Sequence, residues 1–469
     1  MVDKIEIQRS LILVTVPTEK GYSMSDFARQ VLNAPRPYRP VQRFTDTDFY
    51  KLTMLYFIWT HYRDAQVTFE LINRDHRIPV AEIVDEGELR AALDAMCDVG
   101  PSLTEMTYIR GMNVLRGNMF SEEFLDFLRD FRVGSGNYEL SREGNQYRLR
   151  FPADWPHSSM WEIYSMAIVM DLYFYSLERR MSQVELETVY ARATARHYEE
   201  LHRIKQNPNI VLLEGGTRRR HNHQWQRFSL RAGKEVLGNR LIGSSNVWMA
   251  MKYDMTPGGT FGHELMMVII ALTQGDAAKR KEVYEVLAKW HELFGPALGV
   301  MLPDTFTSKS FFRELPDWLL HTWQFIRHDS GSPFAFGDQL IIPAYEAQGI
   351  DPRTKTIIWS DGNTAEGMDK IERHFRGRIQ SRFLQGTMFT NNFADLHPRA
   401  DECVPGLAPL RWRDVYKPFS LVCKAVEVNG KPCVKLSDNI AKATGPKDAV
   451  ESYIRIFGGE DRINEAAVV

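Results

Sequence analysis

His263 stands in Pro257-Gly258-Gly259-Thr260-Phe261-Gly262-His263-Glu264, a glycine-rich turn that runs into the apolar stretch 265–272. That spacing puts an imidazole where the chain reverses and a helix begins. Helix starts gather anions through free N–H groups and the positive end of the helix dipole. An imidazole beside bound phosphate can accept a phosphoryl group, because histidine is a covalent nucleophile. The same ring could equally cap a buried turn, and this segment alone leaves both readings open.

Arg327-His328-Asp329-Ser330-Gly331 sets a guanidinium and a carboxylate two residues apart at a predicted strand end. Extended geometry sends both side chains the same way. Arg327 can grip a carboxylate through two parallel N–H bonds, and Asp329 can meet sugar hydroxyls or a metal-bound phosphate. The alternative is a structural ion pair between the two. Asp361-Gly362 and Gly386-Thr387 close two successive predicted strands. In β/α barrels the loops after the last strands commonly hold phosphate. Either loop alone is equally a tight turn; two in succession favour phosphate. No GxxxxGK[ST] loop occurs, which excludes a P-loop.

Arg218-Arg219-Arg220-His221-Asn222-His223 is the densest basic run. Glu214 precedes it and nothing similar repeats, so a nucleic-acid surface is not expected. His221 and His223 have no neighbouring cysteine or carboxylate to complete a metal site, and no metal ligand is named from sequence. One arginine, with Arg218 the candidate, is expected to face a phosphate while the others are solvated or paired.

These groups need a scaffold. Short predicted strands at Ile210–Glu214, Leu241–Ile242, Phe325–Ile326, Thr356–Trp359 and Arg378–Phe383 each end in a polar, glycine-containing loop. Helical patterns such as Lys279–Phe294 and Thr364–Phe375 lie between several of them. Strand, loop and helix in repetition describe a β/α barrel with its chemistry at the strand C-terminal ends; an open doubly wound sheet is the competing layout. Upstream, a helix over Asp46–Thr60, a strand over Val67–Ile72, helices over Glu88–Met96 and Glu122–Phe131, and a hairpin over Tyr138–Phe151 form a mixed region. A long helical stretch, Trp161–Glu200, follows. Downstream, Ser420–Val428 and Lys431–Leu436 flank Asn429-Gly430, a strong hairpin signal, and are expected to rejoin the N-terminal part.

The division that results is 1–42 an N-terminal extension, 43–160 an α+β domain, 161–417 the barrel, and 418–469 strands and tail packing on the N-terminal domain. Pro35-Arg36-Pro37-Tyr38-Arg39-Pro40 reads as a stiff extended linker. The net charge of −2 gives no reason to expect nucleic acid or an acidic membrane as partner. The run Leu11–Val16 is too short and too acidic in its flanks for a signal peptide. Ile163–Leu177, interrupted by Asp171, falls short of a membrane span. Four cysteines without a CxxC pair fit reduced thiols, hence a cytoplasmic location.

From Thr45 to Thr444 the chain resembles the nicotinate phosphoribosyltransferases, a type II phosphoribosyltransferase family. The pieces occur in order: Thr47-Asp48-Phe49-Tyr50-Lys51-Leu52-Thr53-Met54, Gly216-Thr217-Arg218-Arg219-Arg220, Ser245-Asn246, Gly259-Thr260 with His263-Glu264, Asp304-Thr305-Phe306-Thr307, Arg327-His328-Asp329-Ser330-Gly331, Arg373-His374-Phe375, Gly386-Thr387 and Lys435-Leu436-Ser437-Asp438. The resemblance implies an irregular α/β barrel with a mixed N-terminal domain completed by C-terminal strands. It implies attack of nicotinate on C1 of phosphoribosyl pyrophosphate with loss of pyrophosphate, giving nicotinate mononucleotide for NAD salvage. Mg2+ assistance, ATP hydrolysis coupled through phosphorylation of His263, and a homodimer are implied with it.

On that resemblance Tyr50, Thr260 and Arg327 contact nicotinate. Thr387 matches a contact of the phosphoribosyl donor and His263 the phosphorylated histidine. The chemistry of the residues read above adds Arg218, Asp361, Gly362 and Gly386 to the donor site and Asp329, an anion near the ribose, to catalysis. Three departures stand out: Gly215 where relatives carry an aromatic residue, Ser332 where an acid is common, and Gly262 where alanine is usual. The first predicts a looser base site. A nicotinamide phosphoribosyltransferase is the nearest alternative, although it would give Arg327 no carboxylate to bind. A barrel glycosidase would need a carboxylate pair facing one pocket, and only Asp329 and Asp361 are on offer. A non-catalytic binding protein is disfavoured because His263 and Arg327 are both present.

Overall fold

The computed structural model describes residues 25–34, 37–114, 117–134, 138–459, 462 and 464. The run Leu11–Val16 and part of the proline-rich linker lie outside them.

Seven strands form a curled parallel sheet. Their spatial order is Thr256–Pro257, Leu241–Ser244, Leu212–Glu214, Gln380–Gln385, Thr356–Trp359, Phe325–His328 and Val300–Met301. The first strand of this region, Leu212–Glu214, pairs with the last, Gln380–Gln385. That pairing wraps the chain into a ring and excludes the doubly wound layout, whose order would reverse at a switch point. Between Thr256–Pro257 and Val300–Met301 no ladder is formed among the described residues, and the helices Glu264–Leu272 and Asp276–Phe294 occupy that stretch of chain. The result is a β/α barrel with one open seam. His263 occupies the N-cap position of the helix Glu264–Leu272 on one side of the seam, without a capping bond from its side chain, and its Nδ1 lies 3.0 Å from Thr305 Oγ1 on the other.

The second sheet is antiparallel, in the order Lys431–Pro432, Leu421–Val428, Gln66–Asn73, Gln146–Asp154 and Glu139–Glu143. Asn429 and Gly430 both take positive φ, the geometry a two-residue hairpin turn requires. The C-terminal hairpin does rejoin the N-terminal region: Leu421–Val428 pairs along the length of Gln66–Asn73.

The stretch read as one helix over 161–200 is two, Trp155–Glu178 and Gln183–Gln206. Ser182 and Glu185 form a capping box that starts the second. The first helix is apolar on all sides and buried, as a core helix must be. Its three acids each have a partner. Glu162 pairs with Lys51, Asp171 accepts a bond from Tyr38, and Glu178 pairs with His221. Tyr38 thereby ties the chain before the first domain into the body. Ser25-capped helix Asp26–Leu32 also docks, with Phe27 stacked 4.6 Å from Tyr190.

Candidate active site

A cavity of about 180 Å3 opens at the C-terminal ends of the barrel strands, beneath the strand Leu421–Val428 and the segment that follows it. Nine of the ten residues singled out by sequence line it: Tyr50, Arg218, His263, Arg327, Asp329, Asp361, Gly362, Gly386 and Thr387. Thr260 does not; Thr53 Oγ1 donates to its carbonyl at 2.5 Å.

The strand Phe325–His328 delivers Arg327 and, just past its end, Asp329. Arg327 Nη2 donates to Asp329 Oδ1 at 2.7 Å, and Nε donates to Ser360 Oγ at 2.8 Å. The ion pair anticipated as an alternative therefore exists, and it does not exhaust the guanidinium. Nη1 has no hydrogen-bond partner among the described residues, and Nη2 retains a second N–H. Burial would raise the Asp329 carboxyl, but Arg327 and His263 outweigh it and hold it well below the usual carboxylate range.

His263 is 7% exposed. Its Nε2 lies 3.0 Å from Asp329 Oδ2, 3.0 Å from Lys435 Nζ and 3.5 Å from Asp304 Oδ1. Burial, aided by the Lys435 ammonium and opposed by Asp304 and Asp329, pushes the ring down to about 4. The imidazole is thus neutral near pH 7, the form a nucleophile needs.

The two glycine loops are locked together. Asn363 Nδ2 donates to Trp359 O and Leu384 O, each at 2.8 Å, and Gln385 Nε2 donates to Asn363 O at 2.9 Å. Gly362 takes positive φ, which glycine tolerates without strain. Of the three consecutive arginines, Arg218 and Arg219 reach the cavity, whereas Arg220 is fully buried in a two-bond pair with Asp46. His221 is also buried, bonded to Glu178 at 2.7 Å and stacked on Phe393.

Tyr50 stands in the first turn of the helix Phe49–His61, and its hydroxyl donates to Glu162 Oε2 at 3.1 Å. The glycine-rich turn lies against it: a Cβ at Gly262 would sit 3.3 Å from the Tyr50 ring, so alanine fits only tightly there. Beneath, buried Lys51 bridges Glu162 at 2.6 Å and Glu264 at 2.5 Å.

Sequence reasoning missed the lysines. Lys424, Lys435 and Lys442 all line the cavity from the C-terminal segment. Lys442 Nζ donates to Asp361 Oδ1 at 2.6 Å and to Asp329 O at 2.8 Å. Only the Lys435-Leu436-Ser437-Asp438 piece gave any signal, as part of a pattern without a role.

At Gly215 the structure corrects the expectation of spare room. A Cβ there would lie 2.7 Å from Leu384 Cδ2 and 3.0 Å from Cγ. Leu384 fills the space where an aromatic ring would stand. Gly215→Phe is therefore expected to weaken binding of a flat ring in this part of the cavity. Gly215→Phe with Leu384→Ala should recover it, since a stacking face is worth about 0.5–1.5 kcal/mol beyond buried area. The affinity of the single and double variants for the base expected from the resemblance checks this; a single variant that binds as well as the double would contradict it.

His263, Asp304 and Asp329 bring ligand-type atoms within 4.8 Å of one another, a grouping that in isolation suggests a metal. Here the Lys435 ammonium stands among them, 3.3 Å from Asp304 Oδ2, and supplies the positive charge itself.

Two sequence profiles match the chain. One, described as the nicotinate phosphoribosyltransferase (NAPRTase) family, matches residues 210–459, and one for the N-terminal domain of that family matches residues 45–170. Among solved structures, a nicotinate phosphoribosyltransferase from Vibrio cholerae is similar at 27% identity, covering 92% of this chain and 96% of its own, with a TM-score of 0.78. The fold is shared with one from Porphyromonas gingivalis (24% identity, 89% and 100% covered, TM-score 0.75). It is also shared with a putative one from Saccharomyces cerevisiae (20% identity, 90% and 99% covered, TM-score 0.77).

Proposed function

The chain belongs to the nicotinate phosphoribosyltransferase family, and from that premise we propose how its residues divide the work. The enzyme transfers the phosphoribosyl group of phosphoribosyl pyrophosphate to nicotinate and releases pyrophosphate. One observation carries the assignment of roles: a single cavity holds an arginine with unused N–H groups beside two locked glycine loops.

Arg327 binds the nicotinate carboxylate through its remaining N–H groups while Ser360 and Asp329 fix its plane. Tyr50, anchored on Glu162, offers a ring face to the base. Gly362, Gly386 and Thr387 take the 5′-phosphate, and Arg218 faces the pyrophosphate. The transition state has oxocarbenium character, as in glycoside cleavage, and an ionised Asp329 near the ribose stabilises it. Leaving-group charge is met by Arg218 and Lys442.

The His263, Asp304 and Asp329 grouping does not suit Mg2+, because a lysine ammonium stands among its atoms and one donor is nitrogen. At Asp361, Oδ1 is likewise taken by Lys442, but Oδ2 has no hydrogen-bond partner among the described residues, and that one oxygen could hold Mg2+ together with substrate phosphates. When bound, Mg2+ supplies charge neutralisation for the departing pyrophosphate.

ATP enters the proposal as a second substrate that phosphorylates His263. The support is a neutral, nearly buried imidazole in the wall of the cavity, next to groups that can receive a phosphoryl oxygen. We also propose a homodimer, on the family resemblance, and a cytoplasmic location, to which four free cysteines, three of them buried, are suited. No helix of the described residues is long and apolar enough to cross a membrane. Sedimentation of the purified protein tests the dimer, and fractionation of the host cell tests the location.

The decisive assay is product analysis with phosphoribosyl pyrophosphate and either nicotinate or nicotinamide, with and without ATP. Nicotinate mononucleotide in quantity from the first base and little product from the second is the expected result; equal use of both would overturn the role of Arg327. Thr387→Val should raise KM for phosphoribosyl pyrophosphate about tenfold or more and leave nicotinate KM nearly unchanged, since charge-assisted hydrogen bonds are worth roughly 1.5–3 kcal/mol. An unchanged donor KM would reduce that loop to a turn.

A further inference from the structure

His263 Nε2 has three charged neighbours: Asp304 Oδ1 at 3.5 Å, and two at 3.0 Å whose demands are opposite. Asp329 Oδ2, an ionised carboxylate at 3.0 Å, can only accept a proton donor. Lys435 Nζ, also at 3.0 Å, can only donate. A neutral imidazole carries one proton, so it satisfies one neighbour at a time. With the proton on Nε2 the ring donates to Asp329 and Nδ1 accepts from the Thr305 hydroxyl. With the proton on Nδ1 the ring donates to Thr305, and the Nε2 lone pair accepts from Lys435. Only the second tautomer has a lone pair on the nitrogen beside Asp329 and Lys435. Lys435 is itself buried and held by Asp304 Oδ2 at 3.3 Å, so its ammonium is fixed in place and does not wander through solvent.

We propose that Lys435 is a catalytic residue of the phosphoryl-transfer step, holding His263 in the tautomer with its lone pair on Nε2 and then pairing with the transferred phosphoryl group. This rests on the reading of ATP as phosphoryl donor. The Nε2 lone pair attacks the γ-phosphorus and an N–P bond forms. The bond from that phosphorus to the β–γ bridging oxygen breaks, and its electron pair leaves with ADP. Nδ1 keeps its proton on Thr305, so no base is needed. Lys435, released from the lone pair, keeps its three protons and donates to the phosphoryl oxygens. Water later adds at phosphorus, the N–P electron pair returns to Nε2, and Lys435 recaptures it.

The test uses the full-length enzyme, histidine labelled with 15N, with the His263→Gln variant to assign the resonance. Two-bond 1H–15N couplings distinguish the tautomers, and incubation with γ-labelled ATP followed by an alkaline quench reads phosphohistidine. The wild type is expected to show Nδ1–H at His263. Lys435→Met is expected to show Nε2–H, with the initial rate of labelling lowered on the order of 100-fold, the usual cost of one charge-stabilising donor. Lys435→Arg should restore both in part. Because Lys435→Met leaves Asp304 without its cationic partner, with only the Ser330 and Ser437 hydroxyls on Oδ2, the double variant Lys435→Met, Asp304→Asn removes both charges and should show the same slow labelling. Labelling of either Met variant at the wild-type rate, or an Nε2–H tautomer in the wild type, overturns the role of Lys435. Absence of label on the wild type overturns the coupling itself, which is a separate failure.

Discussion

Arg327→Ala should lower kcat/KM for nicotinate on the order of 100- to 1000-fold and erase the preference for nicotinate over nicotinamide. Truncating one partner of a buried, hydrogen-bonded charge pair costs about 2–5 kcal/mol, largely because the other charge is left without its mate. Nicotinamide presents one acceptor and a donor, so it never satisfied the fork and loses little. A site built around such a group discriminates strongly against the mismatched analogue. The ion pair anticipated from the i, i+2 spacing adds a complication. Arg327 also bonds Asp329 Oδ1, so its removal loosens the carboxylate placed beside the ribose. Arg327→Lys separates the two effects: a lysine can still neutralise Asp329 yet lacks the planar fork, so nicotinate turnover should recover only partly. Steady-state kinetics on both bases decide it. Full nicotinate activity in Arg327→Ala would mean that another group binds the ring carboxylate.

His263→Ala should abolish alkali-stable label from ATP and all stimulation by ATP, while a slow ATP-independent transfer persists. Phosphorylation would reshape the site around the reacting groups without supplying them, so Arg327, Asp329 and the glycine loops stay in place. The depressed ring adds a pH signature. An ordinary histidine, titrating near 6.5, would gain nucleophilic form as pH rises through neutrality. His263, held down to about 4 by burial and Lys435, is already neutral above roughly pH 5 and loses that form only as pH falls through about 4. The initial labelling rate should therefore be flat between about pH 6 and 8. A midpoint near 6.5, or equal labelling of His263→Ala, would count against the assignment.

Much of this site was legible because its signals are local. Arg327 and Asp329 sit two apart at a strand end, and the strand period alone places them on one side. The loops at Gly362 and Gly386 follow adjacent strands, so proximity followed from barrel order. The parts that were not legible depend on distant chain. Lys424 and Lys442 carry no local pattern that marks them, Lys435 lies in a family piece that gave it no role, and all three reach the cavity because the C-terminal hairpin pairs with Gln66–Asn73. Leu384 was invisible as the filler beside Gly215, since nothing in sequence reports which side chain meets a missing Cβ. The barrel seam escaped for another reason. Thr256–Pro257 and Val300–Met301 are two-residue strands, too short to show any period. The break between the two long helices did have a signal, Ser182 followed by Glu185, which the continuing helical pattern concealed.

That hairpin pairing also governs how the molecule is made. Gln66 N donates to Asn429 Oδ1 across 363 positions of chain. At roughly 5–20 residues per second, a ribosome needs about 20–70 s to deliver the second strand after the first. For that interval Gln66–Asn73 has one neighbour, Gln146–Asp154, and an unsatisfied edge on the other side. Exposed edges recruit other chains, and contacts of such long sequence separation form slowly. The nascent protein thus passes through a barrel-sized intermediate whose smaller sheet is unfinished and whose cavity lacks its three lysines, and the cavity is completed only by the chain from Leu421 onward. Ribosome-arrested chains ending before Leu421 should bind a strand-capturing chaperone and resist proteolysis in the barrel alone; equal protection of Gln66–Asn73 in those chains would show that the first sheet does not wait.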